Sequence, residues 1–128
     1  MKKKVLIIQA NYYKDISTAL LKSAKNELKN FAKINIISVP GVFEIPVVIS
    51  KNLKKYDGFV ALGCVSKGQT PHFDFISKST TDAIMNISVE IKKPVGNGII
   101  TCLNKNQAIA RGKKGREAAN AVKIILSL

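Results

Sequence analysis

The stretch Ser66-Lys67-Gly68-Gln69-Thr70-Pro71-His72 gathers more potential chemistry than any other short segment of this 128-residue chain. Thr70 followed by Pro71 reads as a helix N-cap and the first helical position. The next amides of that first turn are free, point outward and carry the positive end of the helix dipole, which makes an anion site. Gly68 lets the backbone approach a ligand closely and Lys67 adds a cationic group. The spacing is not that of a P-loop. His72, the sole histidine of the chain, stands at the mouth of this site. An imidazole titrating near neutrality can both give and take a proton there. The same residues would also serve a plain capped helix start. A second cluster, Pro40-Gly41-Val42-Phe43-Glu44, places a turn, an aromatic ring and a carboxylate together. Phe43 could stack on a flat ring while Glu44 or nearby amides exchange hydrogen bonds with it. Tyr12 and Tyr13 offer a second aromatic wall. Arg111, one of two arginines, could clamp a phosphate. Aromatic walls beside an anion site suggest a planar heterocycle next to a phosphorylated partner.

These residues need elements to hold them, and the hydrophobic pattern supplies four strand–helix units. Val5–Gln9, Ile34–Val39, Gly58–Val65 and Val95–Thr101 read as strands, the last interrupted at Gly96-Asn97-Gly98. Ile16, Ala19, Leu20, Ala24, Leu28 and Phe31 fall at helical spacing behind Asp15 as a cap. Ile45, Val48, Ile49 and Leu53 mark a second helix, with Pro46 in its first turn. Phe73, Ile76, Thr80, Ile84, Ile87 and Ile91 line one face of a long third helix ended by Pro94. Gln107–Ala110 could form one helical turn, and Arg116–Leu126 is a last helix with Ala118, Val122, Ile125 and Leu126 inward. Strands alternating with helices mean a parallel sheet with right-handed crossovers. The expected fold is α/β: a three-layer sandwich, flavodoxin-like, with a four-stranded parallel sheet and helices on both faces. Ligands in such sheets sit beyond the carboxyl ends of the strands. That selects residues 10–15, 40–44, 66–72 and 102–114. Asn97 lies away from that rim; flanked by glycines it marks a bulge or a close approach, and it could reach a ligand only in a neighbouring subunit.

Length places residues 1–128 in one domain. Twenty-one basic against eight acidic residues give a net charge of +13. Nineteen of the bases are lysines spread along the chain, with no run longer than Lys2–Lys4. Nucleic-acid readers lean on arginine for bidentate contacts, so the charge reads first as a solvated cationic surface and no nucleic-acid partner is expected. A non-catalytic α/β module binding RNA or DNA through this charge is the competing reading. Cys64 and Cys102 form no metal-ligand spacing and read as reduced core thiols, so a cytoplasmic location and no metal are expected. The apolar run behind Lys2–Lys4 is too short for a secretory signal, and no window holds a membrane span.

In this order the segments resemble the lumazine synthase (6,7-dimethyl-8-ribityllumazine synthase) family. The resemblance rests on Val39-Pro-Gly-Val-Phe-Glu-Ile-Pro46, on Ala61-Leu-Gly-Cys-Val-Ser-Lys-Gly-Gln-Thr-Pro-His-Phe-Asp74, and on Pro94-Val-Gly-Asn-Gly-Ile-Ile-Thr101. Gln107-Ala-Ile-Ala-Arg111 and Lys114-Gly115 followed by Glu117-Ala-Ala119 support it. It implies condensation of 5-amino-6-(D-ribitylamino)uracil with 3,4-dihydroxy-2-butanone 4-phosphate, with loss of phosphate and water, on the route to riboflavin. By position, Tyr12 and Phe43 would flank the pyrimidine with Val42 and Glu44 beside them. Cys64, Val65 and Ser66 would line the uracil and ribityl pocket. Gln69, Thr70 and Arg111 would hold the phosphate, and His72 would move the proton. Asn97 and Arg111 would come from the adjacent subunit. The resemblance implies no cofactor and no metal, and a homo-oligomer built on pentamers. Because the chain starts directly at the first strand, a pentamer or decamer is expected rather than a shell. The chain departs from the family's usual pattern at Lys67, commonly Arg, and at Asn97, commonly Phe, and its link from Arg111 to Lys114 is shorter than usual. A carrier of riboflavin-related ligands without catalysis is a further alternative.

Overall fold

A computed structural model of the chain describes residues 2–11, 13–66, 72–102, 106 and 112–128, with the side chains of Ser66, His72, Phe73 and Cys102 outside that description. Its elements run β1 (Lys3–Ala10), α1 (Lys14–Leu28), β2 (Ala32–Val39), a 3-10 turn (Val42–Glu44), α2 (Ile45–Lys51), β3 (Gly58–Ser66), α3 (His72–Ile91), β4 (Val95–Cys102) and α4 (Lys114–Leu126). The four strands form one parallel sheet in the order β2-β1-β3-β4.

That order follows from the patterning. Val5, Leu6, Ile7 and Ile8 are fully buried, as are Phe59, Val60, Ala61 and Leu62, so β1 and β3 must each be covered on both faces and take the centre of the sheet. From β1 the chain steps one way to β2, then doubles back across β1 to β3 and onward to β4. Right-handed crossovers in opposite directions put their helices on opposite faces. Accordingly α1 and α4 cover Val5, Ile7, Val60 and Leu62, while α2 and α3 cover Leu6, Ile8, Phe59 and Ala61. This is the expected three-layer α/β sandwich of flavodoxin-like type.

Several local expectations are corrected. The α1 N-cap is Tyr13, not Asp15; Asp15 sits in the first turn, where the helix dipole favours a carboxylate. On the same helix Ala19 is exposed and Ser17 takes the inward position, its hydroxyl donating to the Ala10 carbonyl at 2.8 Å. In α4, Ile125 is half exposed while Ala119 is buried. Phe31 and Leu53 lie beyond their helices, although both still pack on the core. β4 is unbroken: its register with β3 runs without a slip from Phe59↔Val95 to Ser66↔Cys102. Its two glycines serve close approach instead. A Cβ on Gly96 would stand 2.1 Å from the Ala118 carbonyl oxygen, and one on Gly98 would stand 2.6 Å from Leu62 Cδ2. The expected turn at Gln107–Ala110 lies outside the described residues. α3 closes at Lys92, which adopts a left-handed φ of 59° two residues before Pro94. Among the described residues no helix is long and apolar enough to cross a membrane.

Candidate active site

In a doubly wound sheet the ligand crevice opens where neighbouring strands send their connections in opposite directions. Here that place is the carboxyl end of β1 and β3, since β1 leads away to β2 and β3 leads away to β4. The residues leaving β1 are 11–13. Those leaving β3 are 67–71, followed at once by His72 as the first residue of α3. Asp74 lies in the first turn of that helix.

The rim between them is built from backbone and small residues. Asn11 N–H donates to the Val39 carbonyl at 2.9 Å, which ties the exit of β1 to the exit of β2. Ser17 fastens the first turn of α1 to the last residue of β1. From β2 the chain crosses Pro40-Gly41 into the 3-10 turn, where Glu44 N–H donates to the Gly41 carbonyl at 3.2 Å. Val42 is the buried foot of that turn, and it rests in a hollow that Gly63 leaves on β3. A Cβ at Gly63 would lie 2.5 Å from Val42 Cγ1 and 3.0 Å from the Ala10 Cβ. With Val42 turned in, Phe43 is turned out and is 60% exposed, a free aromatic face on the rim. Glu44 is half-buried, and its carboxylate folds back so that Oε1 would lie 3.3 Å from a Cβ on Gly41. Gly63 escaped the sequence reading. Its only signal was a glycine inside an otherwise apolar strand.

Of the expected site residues, the structure therefore brings Val42, Phe43 and Glu44 to the same rim as the start of α3 at His72. Cys64 and Val65 follow on β3 but face opposite sides of the sheet: Cys64 packs toward the α1/α4 side and Val65 toward the α2/α3 side. Ser66 ends β3. Tyr12, Gln69, Thr70 and Arg111 lie outside the described residues. Tyr13 is half-buried against the α1/α4 core. Asn97 is exposed on β4, one of the two edge strands of the sheet, in register with Ala61. It stands five residues back from the β4 carboxyl end, roughly 16 Å at ~3.3 Å per residue. Its Oδ1 accepts from the Ile99 N–H at 3.0 Å. Within one copy it does not join the rim. No group of three or more metal-ligating side chains occurs among the described residues.

A sheet of this winding, with an aromatic, a carboxylate and a helix start around its switch-point crevice, defines a small-molecule site of the α/β type. The sequence matches the family model of 6,7-dimethyl-8-ribityllumazine synthase over residues 2–128. It is 42% identical over 139 aligned positions to the 6,7-dimethyl-8-ribityllumazine synthase of Bartonella tribocorum, covering 100% of this chain and 92% of that protein. It is 41% identical over 137 positions to the synthase of Agrobacterium fabrum, covering 97% and 93%. It is also 41% identical over 138 positions to synthase 1 of Rhodopseudomonas palustris, covering 98% and 85%. The chain belongs to the 6,7-dimethyl-8-ribityllumazine synthase family.

Proposed function

We propose that this chain is a 6,7-dimethyl-8-ribityllumazine synthase of riboflavin biosynthesis, folded as one domain over residues 1–128 and working in the cytoplasm. Its two small-molecule substrates are 5-amino-6-(D-ribitylamino)uracil and 3,4-dihydroxy-2-butanone 4-phosphate. The observation that carries the reading is the family match over residues 2–128 together with the rim that joins the Val42–Glu44 turn to the start of α3.

In this reading Phe43 and Tyr12 hold the pyrimidine between their rings, with Val42 and Glu44 beneath and beside it. Ser66 and the Cys64–Val65 backbone line the ribityl side. Gln69, Thr70 and Arg111 hold the phosphate, whose charge the open amides of the α3 start also favour. The 5-amino nitrogen attacks the ketone and water leaves to give an imine. Inorganic phosphate is then eliminated, and the ribitylamino nitrogen closes the ring with loss of a second water. His72 moves the protons. Holding two reactants in contact is worth up to ~7–11 kcal/mol of barrier, and one positioned imidazole adds ~10²–10⁴-fold. No step calls for a cofactor or metal.

Each site takes Asn97 and Arg111 from the adjacent subunit of a homopentamer or decamer. The exposed place of Asn97 on the open β4 edge supports that arrangement. The test is to mix purified protein with both substrates. The lumazine chromophore should appear in step with inorganic phosphate; no product above the uncatalysed rate would remove the proposal.

A further inference from the structure

At the opposite end of the sheet from the crevice lies a concave surface of about 370 Å3 lined by Lys4, Lys33, Asn35, Lys54, Lys55 and Tyr56. Its construction is dictated by register. Lys4 on β1 is the direct partner of Lys33 on β2, so the two lysine side chains leave the same face of the sheet from neighbouring positions. Like charges set opposite each other across a strand pair are unfavourable. Asn35 follows Lys33 on that face, beside Leu6. The turn from α2 into β3 brings Lys54 and Lys55 over them, and Tyr56 closes the floor with its ring edge-on to Phe59 at 6.0 Å.

The four lysines are exposed, and among the described residues no carboxylate stands within ion-pair distance of any of their ammonium groups. The nearby carboxylate of Asp57 is committed to the backbone: its Oδ2 accepts from the Lys4 N–H at 2.7 Å, and its own N–H donates to the Lys4 carbonyl at 2.8 Å. This double clamp fixes the strand end that carries the Lys4 side chain. Tyr56 Oη accepts from Asn35 Nδ2 at 2.8 Å, which leaves the phenol proton free to donate into the hollow. The result is four cationic donors and a neutral donor around a volume fit for a small ligand, with repulsion between the cations that an anion would relieve.

We propose that this hollow is a binding site for a small, multiply charged phosphate anion of the diphosphate class, separate from the synthase site and not dependent on that assignment. Two linked phosphates match paired ammonium groups in a way one carboxylate cannot. At about 370 Å3 the hollow suits a compact anion rather than a nucleic-acid strand, which needs an extended track. A ligand held there would join β1, β2 and the turn after α2. Because it binds only the folded chain, it would raise the melting temperature with concentration.

The test titrates the whole protein with inorganic pyrophosphate by calorimetry, in three forms: wild type, Lys33→Ala/Lys54→Ala and Arg111→Ala. Saturable binding of one pyrophosphate per chain at this site is expected. It should weaken at least about tenfold in the double lysine variant, as lost charge-assisted contacts require, and persist in Arg111→Ala. Lumazine formation by the double variant should equal wild type, since none of these lysines lies on the rim of the crevice. Affinity unchanged by the lysine changes, or lost only in Arg111→Ala, would place the anion in the synthase's own phosphate site and overturn the proposal. Binding of single-stranded RNA with no response to pyrophosphate would overturn it too.

Discussion

Gly63 and Val42 form a contact that can be taken apart one side at a time. A methyl group at Gly63 would meet Val42 Cγ1 at 2.5 Å, well inside contact distance, and the Ala10 Cβ at 3.0 Å. Valine is stiff about χ1, so it cannot easily swing away. Gly63→Ala should therefore cost about 1–3 kcal/mol as an overpacking change, offset by ~0.4–1 kcal/mol from the less flexible unfolded chain. Val42→Ala removes two buried methyl groups, about 1.6 kcal/mol at ~0.8 kcal/mol each before any cavity cost. In the double variant the nearest atom left at position 42 is its Cβ, 3.9 Å away and in ordinary contact. With only the 3.0 Å approach to the Ala10 Cβ remaining, the double variant should lose less stability than the two single losses added together, a favourable coupling of about 1–2 kcal/mol. Urea denaturation at one fixed protomer concentration measures all four corners of the cycle. Because Val42 is the foot under Phe43, Gly63→Ala alone should also raise KM for the ribitylaminouracil more than it lowers kcat. Additive stabilities in the double variant would refute the reasoning that the turn is seated in the Gly63 hollow.

Other changes test other parts of the structure. His72→Ala should lower kcat on the order of 10²-fold while leaving the fold intact by circular dichroism. Arg111→Ala should raise KM for the phosphorylated substrate about 10-fold or more, the loss of a hydrogen bond between charged groups at ~1.5–3 kcal/mol. Ser17→Ala leaves the Ala10 carbonyl without its side-chain donor and should cost about 1 kcal/mol in chemical denaturation. Gly96→Ala would drive a methyl group onto the Ala118 carbonyl oxygen, a backbone atom that cannot step aside. It should cost about 3 kcal/mol, at the upper end of overpacking, read as a lowered urea midpoint.

The central layer was legible because β1 and β3 carry no polar residue through their buried middles, and only a doubly covered parallel strand tolerates that. The long face of α3, from Ile76 through Thr80 and Ile84 to Ile91, was legible for a similar reason: its inward-facing spacing is sustained over about four turns. Phase errors arose where residue type is indifferent to burial. Alanine suits either side of a helix, so spacing alone points Ala19 inward, whereas Ser17 holds its buried place through one carbonyl that only the fold supplies. Gly96 and Gly98 signalled close approach correctly, but a glycine pair cannot say whether a strand breaks or a helix comes near. Here α4 comes near and β4 runs through. The rim at Val42, Phe43 and Glu44 was legible as a turn with an aromatic and a carboxylate. The hollow at Gly63 that seats it was not, since it depends on two strands and a turn distant in sequence. Asn97 drew attention by chemistry but stands exposed on an edge strand, five residues back from the rim.

The claim at the centre of this account is that one catalytic site is assembled from two copies of the chain. It is tested most directly by mixing two impaired variants, His72→Ala and Arg111→Ala, in equal amounts under conditions that dissociate and reform the oligomer, and assaying at a limiting concentration of the phosphorylated substrate, where both are slow. If His72 and Arg111 of each site come from neighbouring copies in a ring, random reassembly returns about a quarter of wild-type activity. A mixture no more active than the two variants assayed apart would place both residues in the same copy and contradict it.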